Sequence, residues 1–204
     1  MKNTIHYAFI LDQSGSMSIL KKVVVDSFNE QVRAIRKLKK ENPDSEIKCT
    51  WCVFNDKVEF RFSSVDAGQL KKIKPEDYQP GSYTALYDAI GATFKKIEKE
   101  AGPDDQVFFA VFTDGMENAS THFSAKDINK KLSKAEKKGW KVRFFCRLEE
   151  GAFYRRNLHL QDDNIMNITL NEAGMRNMDN AICCCLREMV TPYDDRETPE
   201  GILE

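Results

Sequence analysis

No stretch of this sequence is apolar enough, for long enough, to cross a lipid bilayer. The first apolar run, residues 5–11, is cut short by Asp12, too early for the core of a secretory signal. These shortages predict a cytoplasmic protein without a membrane partner. Charge of one sign is missing too. Thirty-one basic residues nearly balance 32 acidic ones, for a formal net charge of −1, so no global field points to nucleic acid. The lysine-rich stretches 36–40, 71–74 and 130–138 are interspersed with acids and read as solvated faces. Histidine is scarce: His6, His122 and His159 are scattered, and there is neither a Walker phosphate loop nor a G-x-S-x-G elbow.

Cysteine is present six times, but not in a metal-binding pattern. Cys49-x-x-Cys52 lies in an alternating segment, where residues three apart point to opposite faces of a strand. No second pair completes a four-thiolate site. Reduced structural thiols are expected, in keeping with a cytosolic address. Cys183, Cys184 and Cys185 fall on a helix, about 100° apart in turn, so at least one faces outward.

Strand and helix patterns alternate along the whole chain. Residues 5–11 predict a strand, followed by a helix with Leu20, Val24, Phe28, Val32 and Ile35 at a 3.6-residue period, ended by Asn42-Pro43. Segments 47–54 and 57–62 alternate like strands around Asn55-Asp56, a hairpin that places one antiparallel strand at the sheet edge. A helix over 84–99 stops at Ala101-Gly102-Pro103, and 106–112, apolar on both faces, predicts a central parallel strand. Ser124-x-x-Asp127 resembles a capping box for a helix carrying Ile128, Leu132 and Ala135, with Gly139 as its stop. Strands over 140–148 and 164–169, a short helix over 151–158 and a last helix over 172–189 complete the pattern. That helix buries Met175, Met178, Ile182, Cys185 and Met189. The sum is an α/β fold: a doubly wound, Rossmann-like, mostly parallel six-stranded sheet with helices on both faces and one antiparallel edge strand. It forms one domain over 1–190, with 191–204 as a flexible acidic tail.

The chemistry is concentrated where predicted strands end. Asp12-Gln13-Ser14-Gly15-Ser16 follows the first strand, Thr84 opens a helix, and Asp114 follows 106–112. In open α/β sheets ligands bind beyond the carboxyl ends of the strands, so these five side chains are expected around one point. Two carboxylates and three hydroxyls are hard ligands suited to Mg²⁺, or to Mn²⁺ or Ca²⁺, and the carboxylates neutralise a divalent ion. A site short of ligands favours an incoming carboxylate. Tyr83, Met17, Met116 and Glu117, neighbours of these ligands in sequence, are candidates for a contact rim, and Met17 fits the buried start of the first helix equally well. Glu149 and Glu150 bring further acid to the same edge and read as part of a solvated loop.

These three segments together resemble a von Willebrand factor type A (vWA) domain with a metal-ion-dependent adhesion site. The D-x-S-x-S loop matches Asp12, Ser14 and Ser16, the threonine loop matches 81–90 with Thr84, and Thr113-Asp114-Gly115 matches the aspartate loop. Glu117-Asn118-Ala119-Ser120 is similar to the segment after the aspartate loop in small stand-alone bacterial members. The resemblance covers about residues 1–190. It implies the strand order 3-2-1-4-5-6, with the third strand antiparallel. It also implies direct metal coordination by Ser14, Ser16 and Thr84, with Asp12 and Asp114 acting directly or through water. The function it implies is metal-dependent capture of an exposed Asp or Glu of a protein partner, not catalysis. The competing class is a Mg²⁺-dependent phosphotransferase or phosphatase, but a phosphatase of the haloacid-dehalogenase type needs an acid where Ser14 stands. A third reading, by analogy alone, is a regulatory subunit of an ATPase or stress-response complex.

Overall fold

The computed structural model describes residues 4–190, and the expected tail at 191–204 lies outside them. Strand β1 (Thr4–Asp12) feeds a short 3₁₀ turn and helix α1 (Lys21–Glu41). Strands β2 (Glu46–Phe54) and β3 (Val58–Asp66) form the hairpin. An irregular segment leads to helix α2 (Leu86–Glu100), strand β4 (Gln106–Phe112) and helix α3 (Ala125–Lys137). Strand β5 (Lys141–Cys146), helix α4 (Leu148–Leu158), strand β6 (Ile165–Asn167) and helix α5 (Glu172–Val190) complete the chain's described elements. The sheet order is β3-β2-β1-β4-β5-β6, and every pairing is parallel except β2 with β3. This is the six-stranded, doubly wound architecture expected from the alternation. Among the described residues no helix is long and apolar enough to cross a membrane.

Side-chain alternation splits the core into two layers. Tyr7, Phe9, Leu11, Phe108 and Phe112 point to the face covered by α1 and α5. Ala8, Ile10, Val107, Phe109 and Val111 point to the face covered by α2, α3 and α4. A strand buried on both faces needs apolar residues at every position, which is why β4 reads Val-Phe-Phe-Ala-Val-Phe after its first residue. Each fully buried side chain of this size contributes about 1.5–3 kcal/mol. Cys49 and Cys52 are buried in opposite layers, as their spacing requires, and Cys184 is the exposed member of the triplet.

Strand β3 runs to Asp66, beyond its expected end at 62, and a further difference from the sequence pattern comes after β5. The apolar alternation suggests a strand to residue 148, yet the chain turns at Arg147 and α4 begins at Leu148. Arg147 and Glu150, three apart, form an ion pair that suits a helical start and not a strand. Register also positions the site. Leu11 pairs with Phe112, so Asp12 and Thr113 leave adjacent strands side by side.

Helix α5 is fastened by a buried polar chain. Ser27 donates from Oγ to Asp179 at 2.8 Å, and the Gln31 amide donates to it at 2.8 Å. Tyr7 donates in turn to Gln31 Oε1 at 3.0 Å. The chain links β1, α1 and α5 through one carboxylate. Close to the start of α5, Gly174 permits a tight approach, because a Cβ there would lie 1.9 Å from the Thr169 carbonyl oxygen.

This fastening can be tested at both ends. Burial pushes the Asp179 carboxyl from 3.8 to about 6, so the native state holds its proton more tightly than the unfolded chain does. Its contribution to stability is therefore greatest below pH 3.8, declines as pH rises, and is gone above about 6. Urea unfolding across this range should show Asp179→Asn losing that dependence, worth at most about 3 kcal/mol; an unchanged slope would contradict the assignment. Gly174→Ala should lower the stability by about 1–3 kcal/mol in the same assay through overpacking against Thr169.

Candidate functional site

The carboxyl edge of the sheet gathers the five oxygen-bearing residues singled out by the sequence. Asp12, the last residue of β1, is fully buried, and both its oxygens are engaged. Oδ1 accepts the Ser14 N–H at 2.7 Å, and Oδ2 accepts the Thr113 hydroxyl at 2.6 Å. The Ser14 and Ser16 hydroxyls lie 3.2 Å apart, and Ser16 donates to Asp114 Oδ1 at 2.5 Å. Thr84 arrives from another loop. A Cβ added to Gly115 would lie 3.4 Å from Thr84 Oγ1 and 3.8 Å from Ser16 Oγ, so both hydroxyls border the small space left by that glycine.

Each loop is braced from behind. Gly15 N–H donates to the Ser82 carbonyl at 3.0 Å, and Gly81 N–H donates to the Gln13 carbonyl at 2.9 Å. Tyr78, fully buried, donates its hydroxyl to the Asp12 carbonyl at 2.6 Å. Thr84 is held on both backbone groups: its N–H donates to Asn118 Oδ1 at 2.8 Å, and its carbonyl accepts the Asn118 N–H at 3.0 Å. Asp88, on the first turn of α2, accepts the N–H groups of Thr121, His122 and Phe123 and so fixes the stretch before α3.

The electrostatics are those of two crowded acids. Burial raises the Asp12 carboxyl to about 6, against hydrogen bonds from Thr113 and Ser14, and nearby Asp114 adds to the rise. Burial likewise raises Asp114, with Glu150 adding and Ser16 and Arg147 opposing. Arg147 donates to the Asp114 carbonyl at 2.8 Å and pairs with Glu150 at 2.5 Å. Glu150 is therefore a buried, ion-paired residue, which corrects its expected place in a solvated loop. Glu149 remains exposed.

The rim keeps two of its four candidates. Tyr83 and Met116 are 66% and 56% exposed, as a contact surface requires. Met17 is fully buried. Glu117 is turned inward, accepting the N–H groups of Tyr87, Ala119 and Ser120. The sequence pattern missed Ile19, 88% exposed, and Leu148, 67% exposed. Ile19 sits off the buried stripe beginning at Leu20, a usable signal; Leu148 was hidden by continuing the β5 alternation. Thr113, Tyr78 and Arg147 were also missed as supports, because they act through contacts with residues distant in sequence.

No family model matches this sequence, and no curated protein matches it. Its structure is similar to the vWF domain of the type V pili tip protein Mfa5 from Porphyromonas gingivalis, with a TM-score of 0.68 and 10% identity over 100% of this chain and 99% of that one. The PilB minor pilin from Streptococcus sanguinis is similar with a TM-score of 0.66 and 12% identity, over 94% of this chain and 63% of the pilin. A von Willebrand factor type A protein from Catenulispora acidiphila is similar with a TM-score of 0.61 and 15% identity, over 91% and 43%. The chain thus spans less than two thirds of the length of the latter two. Two expectations are corrected. The cytoplasmic address is overturned by the pilus proteins among these structures, and reduced thiols do not restore it. The label of a metal-binding protein loses its support as well: among the described residues no group of three or more His, Cys, Asp or Glu could hold a metal, and two carboxylates with three hydroxyls fall outside that pattern. What the chain has is a vWA-like fold with a hydroxyl-rich crown on the carboxyl edge of its sheet.

Proposed function

We propose that the chain is a protein-interaction module that binds its partner through this crown. One observation carries the reading: beside the linked Ser14, Ser16 and Asp114 side chains, the segments after β1, before α2, after β4 and at the start of α4 expose Ile19, Tyr83, Met116 and Leu148 to solvent. These are four of the five large apolar side chains exposed among the described residues, the fifth being Phe60. A polar centre with aromatic and aliphatic side chains around it suits a protein surface, where such groups supply most of the binding energy. The likeness to a minor pilin and a pilus-tip domain supports an attachment role.

The crown also bears on the partner's chemistry. The Thr84 and Ser16 hydroxyls that meet beside Gly115 are ligands of the kind a small hard cation takes. Asp12, Ser14, Ser16, Thr84 and Asp114 would hold it, the aspartates directly or through water. Arg147 and Glu150 cancel each other, leaving the two aspartates to balance a divalent ion such as Mg²⁺, Mn²⁺ or Ca²⁺. Bound there, such an ion supplies an attachment point for an Asp or Glu of the partner. The reading is of a binder and not an enzyme: the carboxylate a phosphotransferase would use as nucleophile, Asp12, is fully buried with both oxygens engaged.

Thermal unfolding in Mg²⁺, Mn²⁺ or Ca²⁺ against EDTA tests the cation. An ion at a hundred times its dissociation constant should stabilise the protein by about 2.7 kcal/mol, and Thr84→Ala should remove most of that gain. Identical melting in all four conditions would dismiss it. Panning a random peptide display library on the protein in Mg²⁺ tests the surface. Recovered peptides should carry Asp or Glu beside apolar residues, release in EDTA, and bind about tenfold or more weakly to Tyr83→Ala. Peptides without acids that ignore EDTA would argue for a metal-independent face.

A further inference from the structure

Away from the crown, a cavity of about 920 Å³ opens between α1, the outer hairpin strand β3 and the irregular segment after it. Its apolar wall is built from Trp51, Phe62 and Ile73. The wall is held in place. Asn29 on α1 bonds both backbone groups of Ile73, at 2.9 and 2.8 Å, and the Trp51 ring lies between Phe28 and Phe62, with centroids 4.2 and 5.8 Å away. A space of this size matches that of pockets for small organic ligands, roughly 300–1,000 Å³.

Charge around the wall is one-sided. Arg36, Lys71 and Lys72 line the cavity, and none of the three forms an ion pair among the described residues. Arg61 also lines it, paired with Glu59 on its own strand at 3.2 Å. The single lining carboxylate, Asp77, is turned to its own turn, where it accepts the Lys74 N–H at 2.7 Å. Trp51 is 3% exposed beneath this wall, so the apolar surface open to an occupant is chiefly that of the half-buried Phe62 and Ile73.

We propose that this flank binds a small amphipathic carboxylate, with its aliphatic or aromatic body on Phe62 and Ile73 and its head group among Arg36, Lys71 and Lys72. Neither half of the site suffices alone. The apolar wall would take any hydrocarbon, and the cations select the negative head. The site shares no residue with the five at the crown, so it stands or falls separately from the metal reading.

Titration of the full chain with dodecanoate below its micellar concentration tests this, followed by calorimetry and tryptophan fluorescence. The expected result is saturable binding at one site, weakened about tenfold or more by Arg36→Glu with Lys72→Glu, both on exposed positions. Dodecyltrimethylammonium, with the same chain and the opposite charge, should not bind saturably. Absence of saturable dodecanoate binding, equal binding of the cationic amphiphile, or indifference to the charge reversals would each overturn the proposal.

Discussion

Two carboxylates buried side by side at the ends of β1 and β4 are the constraint that shapes the crown. Leu11 and Phe112 pair in register, so Asp12 and Thr113 leave the sheet together and Asp114 comes next. Both acids are withdrawn from water, where an ionised carboxylate is costly unless something compensates it. The chain supplies part of that compensation through the Ser14 N–H and the Thr113 and Ser16 hydroxyls. Arg147 adds a positive charge, but Glu150 largely neutralises it. Both aspartates consequently keep raised proton affinities, which marks a place where added positive charge is favourable.

The supports around this pair are costly features for a surface loop to carry. Tyr78 and Asp88 are buried residues whose hydrogen bonds hold loops instead of regular structure. Such bracing makes a preorganised surface, which loses little entropy on binding. It also explains why apolar Ile19, Tyr83, Met116 and Leu148 remain in solvent: the loops are fixed from behind by polar contacts, so these side chains are not needed to pack them.

Much of this was legible in the sequence because short-range patterns carry it. The both-sided apolar character of 106–112, the 3.6-residue stripes of α1 and α5, and the Asn55-Asp56 turn are local signals, and each element appears where the pattern put it. The five oxygen-bearing residues were legible because each sits at a strand end or a helix start. Partners set by long-range contact were not. Nothing near Arg147 in sequence shows that it reaches the Asp114 carbonyl, or that Glu150 is drawn inward with it. Glu117 looked like rim because it neighbours Met116, yet its carboxylate is bonded to the N–H of Tyr87, 30 residues away. Met17, next to Ser16, fitted either the rim or the buried start of the first helix, and it is core. The compartment was misjudged on physical grounds: a missing apolar span and unpaired thiols constrain membrane insertion and redox state, but say little about where a folded domain is displayed.

Crystals grown in MnCl₂ would reveal the proposed divalent ion at the crown. Anomalous scattering from manganese should give a single strong peak among the side chains of Ser14, Ser16, Thr84 and Asp114, absent from crystals of Thr84→Ala. An occupied manganese position elsewhere on the protein, with featureless density at the crown, would rule out an ion there.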